Sequence, residues 1–474
     1  MTKGIIISMK VRQAMFLIVC CFLHSTTIAQ MTIQVTSTPQ LTPILDDIYV
    51  AGSFNDWNPA DENFKLSSSG NVWSVVIPSQ IEPSITFKFT RGTDWDTVEG
   101  NTMGGFLPDR TLSFQNGTTQ QLQIAGWEDM AGVHTVTSDV RILDMNFNMP
   151  QLNRTRRIWI ALPDGYDSSL ESYPVFYMHD GQNLFNNATS FSGEWQIDET
   201  LEDDFTSCVD PIIVVGIDNG GAARIDELSP WINSEYNEGG EGSLYANFIV
   251  ETLKPFIDQT FRTKPEREFT GTGGSSLGAL ISMYMISKHN DVFSKAAIIS
   301  PAFWFNDEIN NYVEIHPLSG DSRLYFICGS AESASMVGDM QQMYNIVSED
   351  QVPVSNLTYQ VVSAGQHNEY YWSQQFPAIY STLFDCTTDV AEHSLKNNLI
   401  IMPNPVEDSL EIRSLSNEQI DEFEIYSSDG KQVQSYPSVK SSAYKLDCSD
   451  LAAGTYVIKV KLGLTQEIVS FIKK

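Results

Sequence analysis

A serine hydroxyl becomes a nucleophile only where a base removes its proton and a tight turn exposes its oxygen. Gly273-Gly-Ser-Ser-Leu-Gly278 contains Gly274-x-Ser276-x-Gly278 and runs straight into a helical stretch over residues 279–289. Small residues flank Ser276 on both sides, as a strained strand-to-helix turn requires. The base must come later in the chain. His367, in Ser363-Ala-Gly-Gln-His-Asn-Glu369, stands just past a candidate strand at 358–362, where a loop can carry it over the edge of a sheet. Between serine and histidine, Glu332 follows a candidate strand at 324–328 and is the carboxylate chosen to orient and charge-stabilise the imidazole. Asp321 precedes that strand and Asp350 lies beyond the next helix, so both sit at the wrong end. A tetrahedral oxyanion also needs fixed N–H donors. Leu277 supplies one, and the loop His179-Asp-Gly-Gln-Asn183, with a flexible glycine before Gln182, is placed to supply the other. The chemistry is acyl transfer through a covalent intermediate on Ser276.

Those loops need strands behind them. From about 132 to 388, apolar runs at 158–162, 175–178, 212–216, 296–300, 324–328 and 358–362 alternate with helical stretches, which predicts a parallel sheet covered by helices. Residues 268–272, which should form the strand feeding Ser276, are weakly apolar for a central position. Residues 31 to about 128 read as all-β, with strands at 47–51, 72–77 and 85–90 between Ser, Gly, Asn and Pro clusters. A polar, aperiodic stretch follows Cys386. The tail then turns β-rich again at 398–401, 409–412, 422–426 and 455–460, with turns at Asp429-Gly430 and Ala453-Gly454.

With 474 residues the chain is long enough for about three folded units. Its 59 acidic against 28 basic residues give a net charge of −31, which disfavours nucleic acid and anionic membrane surfaces as partners. Lys3, Lys10 and Arg12 precede an apolar run at 14–23 and a small-residue site near Ala29, the pattern of an export signal. No later run reaches the length of a membrane span, so no integral membrane segment is expected in the mature chain. Cys208, Cys328, Cys386 and Cys448 remain after processing; a Cys208–Cys386 disulfide and free buried thiols are both open. No zinc-like Cys/His spacing, P-loop or dinucleotide fingerprint occurs, and no cofactor or metal is expected.

Tyr173-Pro-Val-Phe-Tyr-Met-His-Asp-Gly-Gln-Asn-Leu-Phe185, Ile213-Val-Val-Gly-Ile-Asp-Asn-Gly220, the Ser276 turn and Gly365-Gln-His-Asn-Glu369 resemble the esterase family that includes feruloyl, acetyl-xylan and enterochelin esterases, S-formylglutathione hydrolase and mycolyl transferases. The resemblance covers about 132–388. It implies an α/β-hydrolase fold with Ser276 as nucleophile, Glu332 as acid, His367 as base, Gln182 and Leu277 as oxyanion donors, and Trp304 lining the substrate pocket. Many relatives carry Asp where Glu332 stands.

Ile48-Tyr-Val-Ala-Gly-Ser-Phe-Asn-Asp-Trp-Asn58, Phe87-Lys-Phe89 and Trp95 resemble starch- and glycogen-binding modules, which implies a glucan platform of Trp57, Lys88 and Trp95, with a spacer or cap as the other reading. Pro403-Asn-Pro-Val406, Ile425-Tyr-Ser-Ser-Asp-Gly430, Leu451-Ala-Ala-Gly-Thr-Tyr456 and Ile472-Lys-Lys474 resemble the type A sorting domain of the type IX secretion system, which implies that machinery as a partner and export to the cell surface or beyond.

The expected architecture is therefore multidomain, with a central α/β-hydrolase fold flanked by two small all-β sandwiches: an export signal at 1–29, a sandwich at 30–130, the hydrolase at 131–388, a linker at 389–397 and the sorting domain at 398–474. The expected activity is secreted serine carboxylic-ester hydrolysis on acyl esters of or near carbohydrate. An acyl transferase to a sugar acceptor would use the same residues and reveal itself by turnover that rises with acceptor. A non-catalytic glucan-binding surface protein would bind without any turnover dependent on Ser276.

Overall fold

Val175–His179 and Ile213–Ile217 are five-residue runs with every side chain buried, the mark of strands covered on both faces. In the computed structural model they lie inside one large mixed sheet. The structure describes all residues except 1–29, 71, 203–208, 386–398, 403–405, 407, 415–418, 428–430 and 463–464. The expected export signal, the linker, and the cysteines Cys208 and Cys386 lie outside the described residues, as does the beginning of the Pro403-Asn-Pro-Val406 motif. The chain divides between Phe147 and Asn148 into two compact units, and the strand Val140–Met149 runs through that division.

Within the second unit the strand order is Arg154–Ala161, Ile213–Ile217, Val175–His179, Thr270–Ser275, Lys295–Ile299, Arg323–Gly329, Leu357–Val362. Every adjacent pair from Ile213–Ile217 onward is parallel. Arg154–Ala161 runs antiparallel to Ile213–Ile217, so the expectation of a wholly parallel sheet is corrected to a mixed one. Apolar periodicity reveals a strand but carries no information on its direction. The parallel strands deliver their C-terminal ends to one edge, where ligands of open α/β sheets bind.

The weakly apolar central strand is Thr270–Ser275, Thr-Gly-Thr-Gly-Gly-Ser, and all six residues are buried. Its glycines make room for a ring from next door. A Cβ on Gly273 would meet Phe176 at 2.5 Å and Ala297 at 2.9 Å, so the neighbouring strands supply the apolar volume that this one omits. The helix Leu277–Lys288 follows, buried from Leu277 to Ser287.

The first unit is built on the strand order Ser67–Ser69, Val72–Pro78, Gln30–Ser37, Thr119–Gln123, and on Ile48–Gly52, Ser84–Arg91, Arg110–Ser113. Ile33, Val50, Val75, Phe87 and Phe89 belong to one apolar core shared by both groups of strands. The tail pairs Leu399–Met402, Ser409–Ser414 and Ala443–Asp447 in one sheet, and Gln432–Tyr436, Ile420–Ser427, Gly454–Leu462 and Thr465–Lys473 in another. Leu410, Ile412, Phe423, Ile425 and Ile458 fill the core between them. No helix among the described residues is long and apolar enough to cross a membrane.

His179 ends its strand fully inside the protein, with Nδ1 2.9 Å from the Tyr245 hydroxyl and Nε2 3.4 Å from Thr272 Oγ1. Burial pushes its pKa down to about 4 from 6.5. The unfolded chain therefore binds a proton that the folded chain refuses between those values, and stability falls as pH drops through that window, by up to about 3 kcal/mol. Thermal melts between pH 7 and pH 4.5 should show this loss in the parent protein and a shallower one in His179→Gln. Parallel pH profiles would contradict the assignment.

Candidate active site

Ser276 sits between the strand Thr270–Ser275 and the helix Leu277–Lys288 at φ 59°, ψ −118°, a conformation that L-residues with a side chain rarely hold. Its backbone is gripped on both sides: its N–H donates to Ile299 O at 3.0 Å, and its carbonyl accepts from Ala302 N at 3.0 Å. The turn is tight because the strand and the helix approach closely. A Cβ on Gly274 would lie 3.2 Å from Gly278 backbone and from the His179 ring.

Glu332 and His367 come from loops after the next strands but one and two. Nδ1 of His367 lies 2.8 Å from Glu332 Oε2, and the Glu332 side chain is 1% exposed against 37% for His367. An ionised carboxylate only accepts, so Nδ1 carries the hydrogen and Nε2 is left as the basic nitrogen. The other oxygen, Oε1, accepts from the Ser300 hydroxyl at 2.7 Å and from the Gly329 N–H. Ser300 in turn accepts from the Trp372 indole N–H at 2.9 Å, and the Trp372 ring stands edge-on to His367 at 5.0 Å.

The two loops meet through glycine. A Cβ on Gly329 would sit 2.1 Å from Gly365 O, and one on Gly365 would sit 2.8 Å from Gly329 Cα, so backbone lies directly on backbone. Ser330 N to Val362 O at 2.9 Å and Ala331 N to Gly365 O at 3.1 Å lace the contact. Asn368 then caps the helix Glu369–Leu383 by accepting from Tyr371 N, which stops the loop one residue after His367.

Ser276, His367 and Gln182 line one cavity of about 340 Å³, and Leu277 follows Ser276 directly. Gln182 lies in the short turn Gly181–Asn183, and its side-chain oxygen accepts from Asn219 N at 3.1 Å. Ahead of that turn Asp180, at φ 56°, takes Arg224 Nε at 2.7 Å, Arg224 Nη2 at 2.8 Å and the Asn219 amide at 2.6 Å. Burial opposes ionisation of Asp180, but the Arg224 guanidinium outweighs it and holds the carboxyl below its ordinary range. Glu369, whose carboxylate accepts from the Asn183 amide at 3.4 Å, is pushed up by burial. Asp180, Arg224 and Glu369 all line the cavity, which makes it polar.

Of the other expected site residues, Trp304 lines a different cleft, of about 440 Å³, together with Phe303, Asp307 and Asn310, and is not among the residues that line the cavity at Ser276. In the first unit, Trp57 and Trp95 stand with ring centroids 6.2 Å apart, and Trp95 is 40% exposed. Lys88 is buried beside neither surface: its ammonium donates to Leu107 O and, at 3.4 Å, to Glu99 O, so its donors turn inward. Ser300, Trp372, Asp180 and Arg224 were not singled out from sequence. Only the position of Ser300, at the end of a strand beside the serine strand, gave a signal.

Residues 149–383 match the model of the family described as Putative esterase. That segment belongs to the esterase family. The chain is a carboxylic ester hydrolase. Residues 400–474 match the secretion system C-terminal sorting domain, which directs this esterase through the type IX machinery to the cell surface or beyond. The uncharacterized protein YbbA of Bacillus subtilis is 28% identical over 235 residues, 47% of this chain and 89% of the relative. An alpha-amylase of Niallia circulans is 36% identical over 95 residues, 20% of this chain and 7% of the amylase. Esterase Rv1288 of Mycobacterium tuberculosis is 24% identical over 281 residues, 54% of this chain and 57% of that esterase, so the chain spans less than two thirds of the amylase and of Rv1288.

The glycine contact makes a sharp test. Gly329→Ala must separate the loop of Glu332 from that of His367, and displacements of about 1 Å cost on the order of 10²-fold in rate. Turnover of p-nitrophenyl acetate is expected to fall by about that factor while the circular dichroism spectrum stays native. A rate within twofold of the parent would contradict this reading of the site.

Proposed function

We propose that this esterase hydrolyses acyl esters of or near carbohydrate through an acyl-enzyme on Ser276. The observation that carries the proposal is the charge-assisted contact of His367 with buried Glu332, 2.8 Å long, on the rim of the cavity that Ser276 lines at its strained turn. Nε2 of His367 takes the Ser276 proton as Oγ attacks the ester carbonyl, and the C–O bond to the alcohol breaks as the imidazolium returns that proton to the leaving oxygen. Water, deprotonated by the same nitrogen, then releases the acid. Glu332 holds the imidazole in the productive tautomer, and the backbone N–H groups of Gln182 and Leu277 receive the oxyanion. No step calls for a group beyond these side chains and water.

The carbohydrate part rests on different support. The alpha-amylase relationship covers a stretch of 95 residues, and the paired indoles of Trp57 and Trp95 offer flat apolar faces of the kind that pack on pyranose C–H groups. We assign glucan contact to those two indoles, since the ammonium of Lys88 is turned to backbone carbonyls. The cavity's lining of Asp180, Asn183, Asn219 and Glu369 suits a hydroxyl-rich alcohol better than a long acyl chain.

Hydrolysis of p-nitrophenyl acetate should fall by at least about 10³-fold in Ser276→Ala. Turnover that survives this change would overturn the mechanism. On natural-type esters, kcat/KM for glucose pentaacetate is expected to exceed that for glycerol triacetate, and equal values would remove the carbohydrate assignment while leaving the esterase intact.

A further inference from the structure

Two carboxylates stand near His367, and they are supplied with donors very differently. Glu332 accepts from Ser300, from the Gly329 N–H and from His367. Glu369, the first residue of the helix Glu369–Leu383, is 9% exposed and lines the catalytic cavity together with Ser276 and His367. Among the described residues, the side-chain donor it receives is the Asn183 amide, which meets Oε1 at a long 3.4 Å, and its own backbone N–H adds to this. An ionised carboxylate offers about four lone-pair sites, so Glu369 keeps acceptor capacity unused. Oε2 is not sealed inside the protein, and the cavity is the open space that Glu369 lines.

The carboxylate is held from two sides. Asn183 Oδ1 accepts from Phe191 N at 3.0 Å, which turns the amide hydrogens of Asn183 toward Glu369. Gly193, at φ 116°, lets the loop after Phe191 close in, and a Cβ there would lie 3.7 Å from that of Glu369. Asp180 has its cation in Arg224, and the guanidinium charge also reaches Glu369, so a neutral donor suits this wall better than an ammonium.

We infer that Glu369 is a specificity residue of the esterase, accepting a hydrogen bond from a free hydroxyl on the alcohol that the ester releases. The alcohol side follows from the proton's route. Nε2 of His367 hands its proton to the leaving oxygen, so the alcohol departs beside His367, and Glu369 stands two residues further along the chain in the same cavity lining. A substrate that fills about 340 Å³ displaces water from this wall, and only one with a donor of its own replaces the hydrogen bonds lost. The class selected is esters of polyols that carry an acyl group on one hydroxyl and leave a neighbouring one free. This role deepens the hydroxyl-rich alcohol proposed above and rests on ester hydrolysis at Ser276.

The full chain is assayed on ethylene glycol monoacetate, on methoxyethyl acetate, whose leaving alcohol is matched in acidity, and on propyl acetate, matched in size. The parent is expected to favour the hydroxyl ester over both others in kcat/KM by at least about tenfold. In Glu369→Ala that preference should collapse to within about twofold, through loss on the hydroxyl ester. Glu369→Gln, which keeps an acceptor oxygen without the charge, should fall between the two and gives an independent reading should the alanine variant melt early. A parent preference below about twofold, or a preference intact in both variants, would overturn the inference. So would an equal fall on all three esters, which would make Glu369 a support for His367 alone. Each assay is paired with Ser276→Ala: turnover that survives there defeats the proposed mechanism, whereas turnover that needs Ser276 but ignores the hydroxyl defeats the role of Glu369 and leaves the mechanism standing.

Discussion

A carboxylate buried to 1% exposure must have its oxygens hydrogen-bonded, because an unpaired buried charge costs several kcal/mol. Glu332 meets that demand with Ser300, the Gly329 N–H and His367, and each donor dictates a piece of architecture. Ser300 must stand at the end of Lys295–Ile299, next to the serine strand, and it takes φ 46° to do so. Gly329 must leave room for Gly365, which brings the Glu332 and His367 loops into backbone contact. Trp372 completes the set from the first turns of Glu369–Leu383, where its indole both feeds Ser300 and walls the imidazole. The histidine is thus held by a satisfied network rather than by a single contact.

A second ion pair lines the same cavity. Arg224 and Asp180 pair through two hydrogen bonds, and the arginine's pKa is raised because the carboxylate outweighs the burial that would lower it. Removing one member of such a pair strands the other, at roughly 3–5 kcal/mol. Asp180 immediately precedes the turn Gly181–Asn183, so the pair anchors the start of the turn that contains Gln182. The pair is neutral in sum, which leaves Glu369, pushed up by burial, as the other carboxylate of the cavity lining.

Much of this was legible before any coordinates. The small residues around Ser276, a carboxylate after one strand and a histidine after the next follow from local turn chemistry, and local chemistry is what a sequence carries best. The strand Thr270–Ser275 was faint because its core volume is borrowed from Phe176 and Ala297, and the antiparallel Arg154–Ala161 was hidden because strand direction leaves no periodic trace. The hydrogen bonds of Ser300, Trp372 and the Asp180–Arg224 pair leave no local trace in the sequence because their partners lie 32 to 72 residues away. Lys88 read as a sugar donor from its motif, yet the fold turns its ammonium to Leu107 and Glu99. Trp304 reads as a pocket residue from the resemblance, yet it lines a separate cleft with Asp307 and Asn310.

The central claim is that Ser276 carries the acyl group. Incubation of the full chain with a fluorophosphonate, followed by peptide mass spectrometry, tests it most directly. A single adduct is expected on the peptide containing Ser276, absent in His367→Ala at the same exposure. An adduct on another residue, or none on Ser276 while ester turnover persists, would contradict it.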